Sequence, residues 1–427
     1  MSGTLKAVRG TRDLLPPETA LWNRIEAAAR RVFERYNFGE IRTPVFEDTS
    51  LFARGVGEET DIVSKEMYTW EDRARAASEK SQSLTLRPEN TAGVVRAYIE
   101  HKLGETGQLQ KLYYIGPQFR RERPQKGRYR QFSQIGAEVI GPPSAGSESP
   151  LRDAEVLEML ASLLDELGIT GWTLQLNSVG SAADRARYNE VLRAALEPVA
   201  AKMCADCQRR AVTNPLRVLD CKVPEDQPYI EALPKIDSVL DEDSKAHFAA
   251  VLAGLDASGV PYERNLRLVR GLDYYTRTTF EFTHGGLGAQ NALLGGGRYD
   301  GLSEAIGGPK APGIGFAMGE DRLVLTLQAL EEAKAEKADA YIAPLGEGMN
   351  AAALALAREL RRAGLKVELG DGSFRLKKSF EAADKVARRI VILGEDELAS
   401  GILTVKEFAT GEQRKVPRAE LASKLSS

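Results

Sequence analysis

The residues of this chain that could do chemistry are arginines and carboxylates spaced along short extended segments. In KLYYIGPQFRRERPQKGRYRQFSQIGAEVIG, Lys111 to Gly141, two strands flank a basic loop. Tyr113, Ile115, Pro117 and Phe119 alternate with Tyr114, Gly116, Gln118 and Arg120. Ile135, Ala137 and Val139 alternate with Gln134, Gly136 and Glu138. A period of two gives each strand one apolar face. With those faces in the core, Arg120, Gln134 and Glu138 emerge together on the other side, as a floor for a charged ligand. Arg121, Arg123, Lys126, Arg128 and Arg130 in the loop add a positive field suited to phosphates. A hairpin with one solvated face accounts for the same residues, so the rest of the chain has to decide.

Other segments offer matching groups. In LRPENTAGVVRAYIEHKL, Pro88 marks the first position of a helix and places Glu89 and Thr91 in its first turn. A carboxylate there answers the helix dipole or faces an ammonium group. In RLVRGLDYYTRTTFEFTH, a β-rich run is interrupted by Arg270, Gly271, Asp273, Tyr274 and Tyr275, as in a strand that passes a site. GGLGAQNALLGGGRYDGL matches neither the GxxxxGK[ST] phosphate loop nor the GxGxxG dinucleotide turn. Its Gly295 to Gly297 either let the backbone approach a ligand or form turns and bulges. Arg322 falls in the first turn of a helix after Gly319, where a cation opposes the dipole and wants an anionic partner. Cys204 and Cys207 form a Cys-x-x-Cys pair, with Cys221 as a third thiol. A structural zinc site needs four ligands, and the nearest later histidine, His247, is distant. No structural zinc is therefore expected.

These groups need a scaffold. A chain of 427 residues predicts two or three domains. Its net charge of −3 argues against wholesale coating of nucleic acid but leaves room for local basic patches. There is no apolar leader and no run of about 18 apolar residues, and three cysteines fit a reducing cytoplasm better than a disulfide framework. The spacing predicts a helix over 19–36. A strand containing Pro44 follows, confined to an edge or a break and needing a cover, from a second subunit or a loop. Further strands are expected at 82–87 and 172–180, with helices at 151–168 and 182–196. Residues 198–261 read as a helical insertion between strands. A charged linker at 331–337 leads to a small α/β domain. There Arg358, Arg361, Arg362, Lys366, Arg375, Lys377 and Lys378 suit RNA phosphates or a solvated face.

Five segments occur in one order: RGTRDLLPPE, LRPENTA, FRRERPQKGRYRQF, LVRGLDYYTRTTFEF and GIGFAMGEDRL. Through them the chain resembles the bacterial histidyl-tRNA synthetases, class II aminoacyl-tRNA synthetases, over essentially its whole length. FRRER and GEDR resemble the second and third class-wide motifs, the Pro44 region resembles the first, dimer-forming one, and RGLDYY is peculiar to the histidine enzymes. The resemblance implies an α+β fold, with an antiparallel β-sheet core flanked by helices over 1–330. It also implies that the 198–261 insertion lies near the tRNA acceptor stem, and that 338–427 is an anticodon-binding domain. A cytoplasmic homodimer is implied, with L-histidine, ATP and tRNA(His) as substrates and Mg2+ bound through the ATP phosphates. The reaction implied is formation of histidyl-adenylate, then transfer to the 3′-terminal ribose.

By position, Glu89, Thr91 and Gln134 would hold the α-amino group, with Asn90 in the same turn. Glu138 and Tyr275 would read the imidazole nitrogens, with Tyr274 adjacent. Arg120 would bind the carboxylate and α-phosphate, Arg270 the α-phosphate and Arg322 the γ-phosphate, with Arg123 also toward ATP. Arg270 and Arg120 would be the catalytic pair. Two positions depart from the pattern: Asn90 stands where a glycine is usual, and Ser133 where a histidine is usual. Strand parity points Ser133 away from Gln134. A synthetase-like regulatory subunit of histidine biosynthesis and a structural RNA-binding protein share this core. Arg270, Arg322 and a full C-terminal domain favour the enzyme.

Overall fold

Alternation along the extended segments becomes a sheet whose two faces differ in chemistry. In a computed structural model, residues 4–426 are described except 59, 73–80, 126, 288–290 and 331–336. Two compact units appear, Met1–Ala333 and Lys334–Ser427. Most of the expected linker therefore falls outside the described residues. In the first unit the strands are β1 (Gly39–Glu40), β2 (Phe46–Asp48), β3 (Tyr68–Asp72), β4 (Gln82–Leu86), β5 (Gln110–Phe119), β6 (Gln131–Ile140), β7 (Trp172–Ser178), β8 (Glu263–Arg264), β9 (Thr276–His284), β10 (Ala292–Arg298) and β11 (Gly313–Gly319). Eight form one sheet in the order β1-β5-β6-β11-β10-β9-β7-β8. The inner strands pair antiparallel, while β1 and β8 join the edges as short parallel strands. This is the α+β core that the resemblance implies.

Register decides which side chains meet. Glu138 on β6 lies opposite Gly315 on β11, Gly315 opposite Gly297 on β10, and Gly295 opposite Glu281 on β9. One face carries Ile135, Ala137, Val139, Ile314, Phe316 and Met318. It is covered by helices that include Glu18–Arg35, Pro150–Glu166, Glu242–Ser258 and Glu320–Leu330. The first of these buries Leu21, Trp22, Ile25, Ala29, Val32 and Phe33, a stripe at helical spacing. Each such large side chain contributes about 1.5–3 kcal/mol. The other face keeps the polar set and is walled by a smaller cluster containing Tyr98, Tyr274, Tyr275 and Tyr299.

Three expectations are corrected, and for the Pro44 segment the structure decides between an edge and a break. The helix after Pro88 runs from Thr91 to Glu100, so Glu89 precedes it. Its carboxylate accepts hydrogen bonds from the amides of Thr91 (2.8 Å) and Ala92 (3.0 Å), which caps the helix from outside. Arg270 to Tyr275 lie in irregular backbone ahead of β9, so they precede that strand and do not interrupt it. The Pro44 segment is a break: β1 belongs to the large sheet and β2 to a three-stranded sheet, β2-β4-β3. Finally, the insertion's own apolar cluster runs from Val179 to Leu240. Helix Glu242–Ser258 sends Phe248, Val251 and Leu255 into the main core instead.

The second unit contains β12 (Ala340–Pro344), β13 (Val367–Leu369), β14 (Arg389–Leu393), β15 (Ile402–Glu407) and β16 (Gln413–Pro417), ordered β13-β12-β14-β15-β16. Buried apolar β12 and β14 are covered on both faces, as parallel strands require. In its basic cluster, Arg361 donates to the Val367 carbonyl, so part of its guanidinium is spent on the fold. Arg375, Lys377 and Lys378 stay exposed.

Candidate active site

Two carboxylates are buried on the polar face of the sheet, and Thr91 links them. Its backbone N–H donates to Glu89 at 2.8 Å, and its hydroxyl donates to Glu138 Oε1 at 2.7 Å. Tyr299 donates its hydroxyl to Glu138 Oε2 at 2.7 Å. The Tyr274 hydroxyl stands 3.5 Å from Glu89. The donors on these carboxylates are thus amides and hydroxyls, with no cation among those hydrogen bonds. Burial pushes the Glu138 pKa up to about 8, and the hydrogen bonds from Thr91 and Tyr299 offset part of that rise. Burial also raises Glu89, against the pull of its two amide donors and Arg120.

Glycine makes room for this arrangement. A β-carbon on Gly315 would sit 1.6 Å from Glu138 Oε2, so any side chain there would evict the carboxylate. A β-carbon on Gly295 would lie 2.5–2.6 Å from the Arg270 guanidinium, which therefore lies flat on β10. The glycine run is a strand that lets side chains from elsewhere rest on its backbone.

Arg270 Nη1 stands 3.3 Å from Glu281 Oε2 on β9. Burial works against its charge, but Glu281 and the neighbouring tyrosines outweigh that and raise its pKa. Its Nε is buried without a partner. Arg322, in helix Glu320–Leu330, donates to the Ala292 carbonyl at 2.7 Å and feels both Glu281 and Arg128. Glu281 thus couples to both arginines. Arg120 donates its Nε to the Pro88 carbonyl at 2.9 Å, beside the Glu89 turn, and its guanidinium lies over the Phe132 ring. Arg123 is exposed on the basic loop, and Lys126 lies outside the described residues.

Gln134 is buried, and its side-chain oxygen has no partner. Tyr275 packs on Tyr274, with ring centroids 4.7 Å apart, and lies over Gly297. Asn90 accepts from the Thr43 hydroxyl at 2.6 Å, so its oxygen is engaged on the side of the Pro44 segment. Its φ of −120° is ordinary for a residue with a side chain, so replacing glycine there carries no backbone strain. Ser133 donates to the Gly116 carbonyl at 3.4 Å.

Several groups at this site were not selected from sequence. Tyr299 follows the glycine run, and only the fold brings it to Glu138. It is steered there by buried Arg298, whose Nε lies 3.1 Å from Asp153 Oδ1 and whose Nη1 donates to the Ser147 carbonyl at 2.8 Å. Tyr114 and Gln118 share the parity of the polar face and could have been found by it. The Tyr114 hydroxyl and both polar atoms of the Gln118 side chain are buried without hydrogen-bond partners. Unpaired buried polar atoms cost free energy unless a ligand or water meets them. A cleft of about 610 Å3 opens elsewhere, lined by Arg54, Arg185, Asp273, Arg277, Asp300 and Lys310 among others. From the segment singled out in the sequence it takes Asp273 and Tyr274, and it includes neither buried carboxylate nor Arg120, Arg270 or Arg322.

The chain is similar to known proteins along almost its whole length. Residues 10–323 match a family model described as histidyl-tRNA synthetase, and residues 339–427 match one described as an anticodon binding domain. The chain is 75% identical to the histidine–tRNA ligase of Koribacter versatilis, over 98% of this chain and 95% of that protein. The apo histidyl-tRNA synthetase structure from S. aureus superposes with a TM-score of 0.80 at 38% identity, covering 99% of this chain and 100% of that one. A Bacillus halodurans structure titled ATP phosphoribosyltransferase regulatory subunit/histidyl-tRNA synthetase shares the fold. It matches with a TM-score of 0.65 at 20% identity, over 92% of this chain and 99% of that one.

Proposed function

The chain belongs to the histidyl-tRNA synthetase family, and from that premise we propose that its buried carboxylates hold histidine while its arginines hold ATP. Its activity is histidine–tRNA ligation. L-histidine and ATP give histidyl-adenylate and pyrophosphate, and the histidyl group passes to the 3′-terminal ribose of tRNA(His). The observation that supports the site reading is the Thr91 bridge between Glu89 and Glu138. Two buried carboxylates met by neutral donors call for a cationic guest. The α-ammonium group sits by Glu89, Thr91 and Gln134, and the imidazole sits between Glu138 and Tyr275.

Activation needs no protein base, because the attacking group is the substrate's own carboxylate. What the protein supplies is alignment and stabilisation of charge gathering at the α-phosphorus. Arg120 and Arg270 do this as flat, permanently charged forks, and Arg322 anchors the distal phosphate. A divalent magnesium ion carried on the phosphates needs hard oxygen ligands, and the partly exposed Glu281 carboxylate between two of these arginines fits it. That ion would offset phosphate charge. The 339–427 unit binds the anticodon stem and its loop, and the reaction belongs to the cytoplasm, where tRNA is charged. Among the described residues, no helix is long and apolar enough to cross a membrane.

The test is ATP–pyrophosphate exchange run with each standard amino acid in parallel. Exchange supported by histidine alone is the expected result. Absence of exchange would instead point to the regulatory-subunit reading, a binding module on the same core.

A homodimer belongs to the proposal. Phe46 is 53% exposed and Trp70 40%, and their rings meet edge-on on the three-stranded sheet, next to half-exposed Val45. Aromatic side chains left in water on a sheet mark a contact surface. A second copy seated there would cover the Pro44 break. Sedimentation velocity should give a species of twice the chain mass, and Phe46→Asp should shift it toward monomer. A monomer in the wild-type chain at micromolar concentration would remove this part.

A further inference from the structure

The chain's three thiols converge although they are spread along the insertion. One ligand atom from each of Cys204, Cys207, Cys221 and Asp226 can be chosen so that all lie within 4.8 Å of one another. The expectation against zinc rested on a missing fourth ligand. The fold supplies it as an aspartate, which lies just beyond Cys221 in the sequence and not at a histidine position.

We propose that Cys204, Cys207, Cys221 and Asp226 bind one structural zinc ion in the insertion. Cys204 Sγ and Cys221 Sγ are 3.9 Å apart. With Zn–S bonds of about 2.3 Å, the edge of a tetrahedron is about 3.8 Å, so this separation fits two ligands of one ion. A disulfide would require these sulfurs to close to about 2.05 Å. Asp226 Oδ2 lies 3.3 Å from Cys221 Sγ, a carboxylate at the remaining corner.

The surrounding backbone is arranged for thiolates. Cys204 caps helix Ala205–Thr213, and the Cys207 amide donates to its sulfur at 3.4 Å. The Val223 amide donates to Cys221 Sγ, also at 3.4 Å. Amide donors aimed at sulfur stabilise its charged form and orient it, as they do around metal-bound ligands. Asp226 is fixed in turn, accepting from the Cys204 amide at 3.0 Å through Oδ1. Without a metal, burial holds the Cys207 and Cys221 thiols protonated. On binding, the three thiol protons leave to solvent and the ion takes their place. Soft sulfur ligands in this number select zinc over oxygen-preferring magnesium or calcium.

The ion would tie down more than a small core. The segment it closes between Cys207 and Cys221 carries Asn214, which donates to Asp273 Oδ1 at 3.0 Å, and Arg217, which donates to the Arg270 carbonyl at 3.0 Å. The metal therefore braces the loop against which the Arg270–Asp273 backbone rests.

The experiment uses the full-length chain, purified in reductant without chelator. Elemental analysis should find about one zinc per chain in wild type and less than about a tenth of that in Cys207→Ser and Asp226→Asn. Cobalt added to metal-free wild type should give the intense visible bands of a tetrahedral thiolate site and a sulfur-to-metal charge-transfer band, both lost in Cys207→Ser. Removing zinc should lower the melting temperature, and zinc, but not magnesium, should restore it. The proposal is overturned by wild-type chain that neither retains zinc nor gives the cobalt spectrum. A Cys204–Cys221 disulfide found by mass spectrometry in chain handled under reductant overturns it as well.

Discussion

Arg270→Ala is expected to lower histidine-dependent ATP–pyrophosphate exchange by about 10³- to 10⁵-fold, the range for an arginine that completes a phosphoryl-transfer site. The size follows from its setting. Arg270 lies flat on Gly295 and is held by Glu281 at 3.3 Å, with its Nε buried and unpartnered. Its donors are fixed before substrate arrives, so stabilising the charge at the α-phosphorus requires no reorganisation. The loss should fall on kcat more than on either KM, because the interaction strengthens as that charge develops. The fold should survive, since Glu281 keeps Arg322 as an electrostatic neighbour and the Arg270 carbonyl still accepts from Arg217. Arg270→Lys should recover only part of the rate, because an ammonium group lacks the planar fork. An alanine variant within about tenfold of wild type would remove Arg270 from the catalytic set.

Glu138→Gln is expected to raise KM for histidine by about tenfold to a hundredfold and to leave that for ATP nearly unchanged. The change is almost isosteric but removes the charge that Glu138 takes on when a ligand binds, beside the Thr91 and Tyr299 hydroxyls. A hydrogen bond to a charged partner is worth about 1.5–3 kcal/mol, which sets that range. The amide also presents an NH2 group to hydroxyls that currently donate, so one of them loses its acceptor. Equal effects on both substrates would place Glu138 outside the imidazole pocket.

The same residue sets a pH dependence. Its folded pKa, near 8, lies above the ordinary carboxyl value because of burial. The protonated form therefore stabilises the empty protein at low pH, and that contribution is lost as pH rises through about 8. A ligand N–H or ammonium group favours the ionised form, so binding near neutrality must expel the Glu138 proton. Histidine affinity should thus rise with pH up to about 8 and level off above it, with proton release visible by calorimetry in buffers of different ionisation enthalpy. In Glu138→Gln both the rise and the release should shrink.

Much of the scaffold was legible in the chain because it depends on near neighbours. The helical stripe from Leu21 to Phe33 predicted Glu18–Arg35 within a residue. The alternation around Gln134 and Glu138 predicted β6 and its two faces, and the charged linker at 331–337 marked off a second, small α/β unit. Where a local rule met a distant contact, the contact prevailed. Pro88 signalled a helix start, but Glu89 caps the amides of Thr91 and Ala92 from outside, and the helix begins later. Helix Glu242–Ser258 read as part of the insertion, yet its apolar face finds the main core.

By itself, then, the sequence determined the periods, the chain breaks and the family motifs, because a strand's parity and a helix's stripe are set by residues a few positions apart. Only the tertiary structure decided that Tyr299 reaches Glu138, that Glu281 couples to both Arg270 and Arg322, and that Asp226 joins three cysteines. Those meetings depend on strand order and register across segments far apart in the chain, and no local pattern carries that information.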